Sequence, residues 1–394
     1  VSDVAGSFQM RPFQGYLRAD GRVGVRNHML ILGINGLALR SSERIARNLP
    51  GSLLVATSAG RGQVEPDLGL HLDQLVGLGR NPNVGAVLVV GVDQATSDDV
   101  AARIALSGKP VASVSFAECG EDALAISDLG LRRATELSRA ASRARRTRVE
   151  PTALVVAVEC GHSDATSGLA SNPIVGAAVD RLVAAGACVI VGETVEWLGA
   201  EHLLARRAAD ADVAARIHAA VAGREAIAIA SGRSLTGNNP GEENIKGGLS
   251  TIEEKSLGAI VKSGTGTIAG MLGVAEAPPG PGLYLMDGPS FSPDSMTGFA
   301  AAGATIMLFT TGPGNSFASA IAPTLKISAH PETVTRLPAQ IDFDASPILA
   351  GAETLAEGSE RLVEAVLDVA DGTLTLGEIV GEGLEVPTRI RGSL

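Results

Sequence analysis

"ALVVAVECGHSDATSGLASNPIVGAAVDRLVAAG", residues 153–186, opens as an apolar, β-branched run and closes as a helix of small and apolar residues. A strand with one face in water alternates apolar and polar positions. A short run that is apolar throughout reads instead as a strand buried on both faces, as in a parallel sheet covered by helices. Between strand and helix stands Cys160-Gly161-His162-Ser163-Asp164. A thiol, an imidazole, a hydroxyl and a carboxylate thus meet where a strand ends, and the stretch poses fold and chemistry together.

The same order of apolar run, small polar loop and helix recurs outward from it. It appears in "HMLILGINGLALRSSERIARNL" (28–49), in "AVLVVGVDQATSDDVAARIALSG" (86–108), where Thr96 or Ser97 is the expected helix cap, and in "ACVIVGETVEWLGAEHLLARRAADADVAARIHAAV" (187–221). Repeated strand–helix units predict an α/β protein with mostly parallel sheets flanked by helices. Two Rossmann-like domains are expected, over 13–140 and 150–394, with the basic run "RAASRARRTR" (139–148) as the boundary. In such sheets ligands bind beyond the carboxyl ends of the strands, which is where the cluster lies. From Gly237, "GNNPGEENIKGGLSTIEEKS" (237–256) is too rich in Gly, Asn and Pro for regular packing at its start. Long loops of this kind inside compact domains are usually functional.

Composition narrows the partners. The chain has 394 residues, 45% hydrophobic and 19% charged, which is enough for cores of this size. Its formal net charge of -11 offers no basic face for a run of phosphates, so nucleic acid is excluded as a partner. No run of eighteen apolar residues and no signal-like apolar segment occurs, so the expectation is a cytoplasmic protein without a membrane span. Cys119, Cys160 and Cys188 are three, without CxxC spacing, so neither a disulfide framework nor a zinc cage is expected.

The cluster itself admits three chemistries. Strand, Gly161-His162-Ser163-Asp164-Ala165 and helix has the spacing of a nucleophile elbow with Ser163 as nucleophile, which needs an acid and a base such as Asp287 and His330. Alternatively His162, Asp164 and the carboxylates after the next strand converge as hard ligands for a divalent cation or as acid and base. In the third reading Ser163 and Asp164 merely cap the following helix. A dinucleotide fingerprint, "GTGTIAG" at Gly264, is set aside because no helix of useful length follows it.

Six ordered stretches then carry a family. "GYLRADGRVGVRN" (15–27), "NPNVGAVLVVG" (81–91), "CGHSDATSGLASNPIVGAAVDRLVAAG" (160–186), "ETVEWLGAEHLLARRA" (193–208), "NNPGEENIKGGLSTIEEKSLG" (238–258) and "MDGPSFSPDSMTGFAAAGATIMLFTTGPG" (286–314) together resemble the altronate/galactarate dehydratase family, which includes the large subunit of sulfolactate sulfo-lyase. The resemblance implies a lyase that eliminates water from a small hydroxylated sugar acid to give a 2-keto-3-deoxy acid, assisted by a divalent metal, Fe2+ or Mn2+, with Mg2+ as the alternative. By position it implies Cys160, Ser163, Asp164 and Lys255 as catalytic groups and Asp164, Glu193, Glu196 and His202 as metal ligands, and His162, on its own chemistry as an acid or base, is expected to join the catalytic groups. Substrate contacts implied are Arg22, Arg26, Asn172, Asn239, Thr310, Thr311 and Lys326, the arginine forks suiting carboxylates.

The departures from the family pattern carry their own expectations. Relatives usually have cysteines where this chain has Gly36 to Leu39, Gly60-Arg61-Gly62 and Asp93-Gln94, and glycine where it has His162. A late Gly-Arg-Gly-Ser has become Gly312-Pro313-Gly314-Asn315, which removes an arginine. The small SAF-type N-terminal domain of many relatives is expected to be absent and supplied by a separate small subunit, as in the sulfo-lyase. A homo-oligomer is expected on general grounds. Two other classes stay open: a serine hydrolase through Ser163, and a diverged non-catalytic subunit.

Overall fold

The structure is a computed structural model that describes residues 10–60, 62–232 and 239–389. Arg61 and Asn238, both within the stretches discussed above, lie outside the described residues. The predicted α/β class holds: two parallel sheets are flanked by helices, and among the described residues no helix is long and apolar enough to cross a membrane.

The first sheet has four parallel strands in the order Ser52–Ala56, His28–Gly33, Val84–Gly91, Val111–Ser115. Every residue of Val84–Gly91 is buried, as its unbroken apolar run requires. The helix after it starts one turn earlier than expected. Asp93, not Thr96 or Ser97, is the N-cap, its carboxylate accepting from Thr96 N at 2.8 Å. A small antiparallel sheet of Val23–Gly24, Phe13–Leu17 and Thr147–Val149 joins the start of the chain to the segment that follows the basic run.

The second sheet has seven parallel strands, ordered Ile268–Gly273, Gly282–Asp287, Cys188–Val191, Val155–Cys160, Ile306–Thr310, Thr324–Ser328, Phe343–Asp344. The chain builds outward from Val155–Cys160 on one side, through Cys188–Val191, and later returns to its other side with Ile306–Thr310. Such a reversal opens a crevice beyond the strand ends, and Cys160 is the last residue of the strand at the reversal. Gly264 and Gly266 of the discarded dinucleotide motif lead into the strand Ile268–Gly273 rather than a helix.

The two sheets share a core. One buried cluster runs from Leu30, Leu32 and Val87 of the first, through Leu75 and Phe299 of intervening helices, to Ile190 and Met307 of the second. Asn83, fully buried, donates to Thr305 O at 2.9 Å and Ile321 O at 3.0 Å and so satisfies backbone at the seam.

Candidate active site

Three pieces of chain converge at the end of Val155–Cys160: the strand itself, the turn after Cys188–Val191 that carries Glu193 and Glu196, and the helix Ile252–Ile260 with the turn Val261–Ser263 behind it. Lys255 and Lys262, seven residues apart, fall on one face of this last piece. Helix Asn172–Ala184 lets the Lys262 turn in close through Gly176, where a Cβ would lie 2.1 Å from Val261 O.

The side chains that meet there form a charged network sealed from water. Cys160 Sγ lies 2.8 Å from Glu196 Oε2 and 3.4 Å from Glu193 Oε1, and the Cys160 amide donates to Glu193 Oε2 at 3.0 Å. Lys262 donates to Cys160 Sγ at 2.9 Å and to Glu193 Oε2. Lys255 donates to Glu196 Oε1 at 2.6 Å and to Asn239 Oδ1. Cys160, Glu193, Glu196, Lys255, Lys262 and Asn239 are all buried, and Glu193 and Lys262 are 0% and 1% exposed. Buried charges persist only when paired, and here two ammonium groups face two carboxylates.

Burial and neighbours drive the two carboxyls apart. Burial raises Glu193, the charge of Glu196 adds to the rise and Lys262 opposes it, leaving it at about 7. Burial acts on Glu196 too, but Lys255 and Lys262 prevail and hold it down at about 2. Burial and both glutamates push the Cys160 thiol well above its usual range, so it is neutral near pH 7. Lys262 keeps its charge against burial through the carboxylates of Glu193 and Glu196. Two carboxyls in contact with one network, one poised near neutrality and one firmly ionised, are the pattern of an acid/base pair.

The backbone is strained at the same place. His162 (φ 55°) and Glu193 (φ 71°) both occupy the left-handed region, which costs a residue with a Cβ about 1–2 kcal/mol. They follow adjacent parallel strands, and strain of this kind concentrates at functional sites. A π-helical turn, Ser167–Ser171, follows the cluster.

The expected site residues divide. Cys160, Glu193, Glu196, Lys255 and Asn239 are brought together. His162 is at the exposed rim, its Nδ1 3.2 Å from Gly314 O, and Ser163 is buried beside it, its carbonyl accepting from Asn244 Nδ2 at 2.8 Å. The expected ligand Asp164 is a cap: Oδ1 accepts from Thr166 Oγ1 at 2.6 Å and Ser167 N at 3.2 Å, and the carboxylate packs where a Cβ on Gly312 would be 2.2 Å from its Cγ. His202 is exposed and joins no group of ligands. Among the described residues, the one triad of ligand atoms that all lie within 4.8 Å of one another is Cys160, Glu193 and Glu196. The expected substrate contact Arg26 has every donor spent: Nε and Nη2 on Glu378, Nη1 on Val25 O and Val369 O, Nη2 also on Thr373 O. Arg22 is held on the surface by Asp20 at 2.7 Å. Asn172 and Thr310 bind each other at 2.7 Å, Thr311 Oγ1 accepts from Gly314 N, and Lys326 donates to Ser316 O. Each of these four thus has a partner within the chain.

Two participants are absent from the sequence expectations. Lys262 lies in the turn just after the helix Ile252–Ile260, and its seven-residue spacing from Lys255 is the signal that points to it. Glu159 interrupts the apolar "VVAVEC"; it is fully buried, accepts from Ser295 Oγ at 2.8 Å, and its Oε1 has no partner among the described residues. Burial first, then Glu193, pushes its carboxyl well above the ordinary range. The hydrolase alternative loses its parts: the left-handed residue is His162 rather than Ser163, Asp287 Oδ1 is engaged by Thr194 and Arg224, and His330 Nδ1 is unpartnered among the described residues.

Comparison with known proteins bears on this geometry. Residues 152–391 match the model of the D-galactarate/altronate dehydratase C-terminal domain, and residues 15–142 match that of the D-galactarate dehydratase/altronate hydrolase second domain. The chain belongs to the galactarate/altronate dehydratase family. Within it, the chain is 39% identical to (2R)-sulfolactate sulfo-lyase subunit beta of Chromohalobacter salexigens, over 96% of this chain and 98% of that one. It is 30% identical to altronate dehydratase of Escherichia coli over 95% of this chain and 77% of that one. With galactarate dehydratase (L-threo-forming) of the same organism it shares 29%, over 91% and 73%. These relatives are lyases by name, and the C-terminal domain match, residues 152–391, contains every member of the buried network. The donor set of Cys160, Glu193 and Glu196, a thiol and two carboxylates, could hold a divalent ion.

Proposed function

We propose that the chain is the catalytic subunit of a lyase that performs β-elimination on a small 2-hydroxy carboxylate. The observation that carries this is the opposed pair, Glu193 near neutrality and Glu196 ionised, bound to two buried lysines. Glu193 takes the proton from C2, the C2–C3 double bond forms, and the group on C3 leaves with its electron pair. The resulting enol becomes the 2-keto acid. Loss of the C2 proton places negative charge on the substrate carboxylate, and the ammonium groups of Lys255 and Lys262 are the cations that would stabilise it. Asn239 Nδ2, buried without a partner among the described residues, is a donor for the substrate. His162, at the rim, delivers the proton to a departing hydroxyl. A divalent ion held by Cys160, Glu193 and Glu196 would supply Lewis-acid stabilisation of the same charge.

Two leaving groups fit. Water is the family's reaction by its name and that of two of these relatives. Sulfite is favoured by the 39% identity that runs end to end through the sulfo-lyase subunit. That relative is a beta subunit, and we infer that a separate small subunit completes this enzyme as well, within the cytoplasm. The test is a panel of aldonates, aldarates, shorter hydroxy acids and sulfolactate, assayed for 2-oxo acid and for sulfite with and without Fe2+, Mn2+ or Mg2+. Oxo acid without sulfite selects the dehydratase, and oxo acid with equimolar sulfite the sulfo-lyase. No product from any member, even with a co-expressed small subunit, overturns the proposal. His162→Ala is expected to lower turnover with folding intact, and an unchanged rate removes it from the mechanism.

A further inference from the structure

The position of Lys262 decides what the cage of Cys160, Glu193 and Glu196 can hold. Its Nζ lies 2.9 Å from Cys160 Sγ and 3.6 Å from Glu196 Oε2 and donates to Glu193 Oε2. One ammonium therefore touches all three residues that would ligate an ion. An ion bonded to thiolate and carboxylate lies about 2.0–2.3 Å from each, which would set it directly against the ammonium. Two cations in contact repel strongly where water does not screen them, and Lys262 is 1% exposed.

Charge points the same way: the Lys262 ammonium already sets one positive charge against all three groups, and a divalent ion beside it would add two more where Lys262 is 1% exposed. Of the two lysines, Lys262 is the one that touches the sulfur; Lys255 is bound to Glu196 and Asn239.

We propose that Lys262 is the resident cation of this cage: its ammonium and a divalent ion occupy the cage alternately, and an ion enters only as the lysine side chain leaves. Lys262 is thus a gate on metal loading, built into the turn that Gly176 holds against helix Asn172–Ala184.

The test is binding of Co2+ to the purified chain, read by the near-ultraviolet absorption of a cobalt–thiolate bond and by competition with a chromogenic chelator. Lys262→Gln is expected to bind Co2+ about tenfold or more tightly than wild type, with the sulfur band developing at stoichiometric metal. Lys255→Gln, which removes an equal charge that does not touch the sulfur, is expected to gain less. Equal affinities and equal bands for wild type and Lys262→Gln overturn the proposal, as does tighter binding by Lys255→Gln. If circular dichroism shows Lys262→Gln unfolded, Lys262→Arg takes its place. It keeps the charge and is expected to bind no more tightly than wild type, and a tighter site overturns the proposal. The readout is binding, so it holds or fails apart from whether any substrate in the panel turns over.

Discussion

The carboxyl ends of the two parallel sheets are built by the same rule and finished differently. Beyond the four-stranded sheet, Asn35 accepts from Leu37 N and donates to Gly60 O, both at 3.0 Å, and Asp93 caps the next helix. These side chains serve nearby backbone. Beyond the seven-stranded sheet, Cys160, Glu193 and Glu196 are bound instead to one another and to Lys255 and Lys262. Unpaired buried atoms do not separate the two ends, since Gln63 and His71 carry them at the first as Glu159 and Asn239 do at the second. What marks the second end is a network of five ionisable groups, all buried, bound to one another, whereas an ion pair at the first, Glu118 with Arg133, stands at the surface. A polar group spent on backbone is fixed; one spent on another titratable group can exchange a proton or a charge.

The largest effect that can break this contrast is on turnover. Glu196→Gln removes the ionised member that Lys255 holds at 2.6 Å and is expected to cost on the order of 10^3 to 10^4 in kcat, the scale of a lost acid/base arrangement. Asn35→Ala, at the other sheet, is expected to leave kcat within about twofold while costing about 1 kcal/mol as a lost cap. Comparable kcat losses for the two would erase the distinction. Next comes Arg26, a buried charge spent largely on backbone and on Glu378 at 2.7 Å. Arg26→Met strands that carboxylate and is expected to destabilise the fold by roughly 3 kcal/mol or more. Urea unfolding measures this, and turnover per folded molecule should stay unchanged; a rise in KM without loss of stability would return Arg26 to the substrate.

The sequence made the sheets legible because fully apolar runs of five to eight residues followed by helices have few other solutions. Glu193 and Glu196 were legible because they stand at a strand end. That Asp164 stands outside the network was not legible for a physical reason: spacing cannot tell a carboxylate that caps a turn from one that binds an ion, since both prefer the same strand-to-helix junction. Lys262 was hidden because a lysine after an apolar run reads as a solvated helix end. Only its register with Lys255, and the glycine that lets its turn approach, bury it among acids. The cap at Asp93 was displaced by one turn because three polar residues in succession compete for the role.

A smaller effect sharpens the contrast through pH. Glu385 is buried away from the network, and its Oε1 accepts from Ser319 Oγ, Ala320 N and Ile321 N. Burial raises its carboxyl from an ordinary 4.5 to about 7. The folded state therefore holds a proton that the unfolded chain releases earlier. Its contribution is fully present below pH 4.5 and is lost as pH rises towards 7, by roughly 3 kcal/mol at 1.36 kcal/mol per unit. Glu385→Gln keeps the acceptor oxygen and cannot ionise, so its stability should not show this fall. Urea midpoints taken across that range settle it, and parallel profiles for wild type and variant would show that Glu385 titrates as an exposed acid.

The smallest effect concerns the position where relatives usually carry a cysteine. Asp93 holds the N-terminus of Gln94–Ala105 through Thr96 N, and Asp93→Ala is expected to cost about 1 kcal/mol. Asp93→Asn and Asp93→Ser restore a cap without the charge and should recover most of that loss, with kcat unaltered in all three. The carboxylate faces a helix N-terminus, where a neutral acceptor does nearly the same work. A fall in kcat that Asn and Ser fail to rescue would mean that the charge at this strand end takes part in the reaction. The first sheet would then be a second wall of the active site, and the contrast between the two sheets would have to be drawn elsewhere.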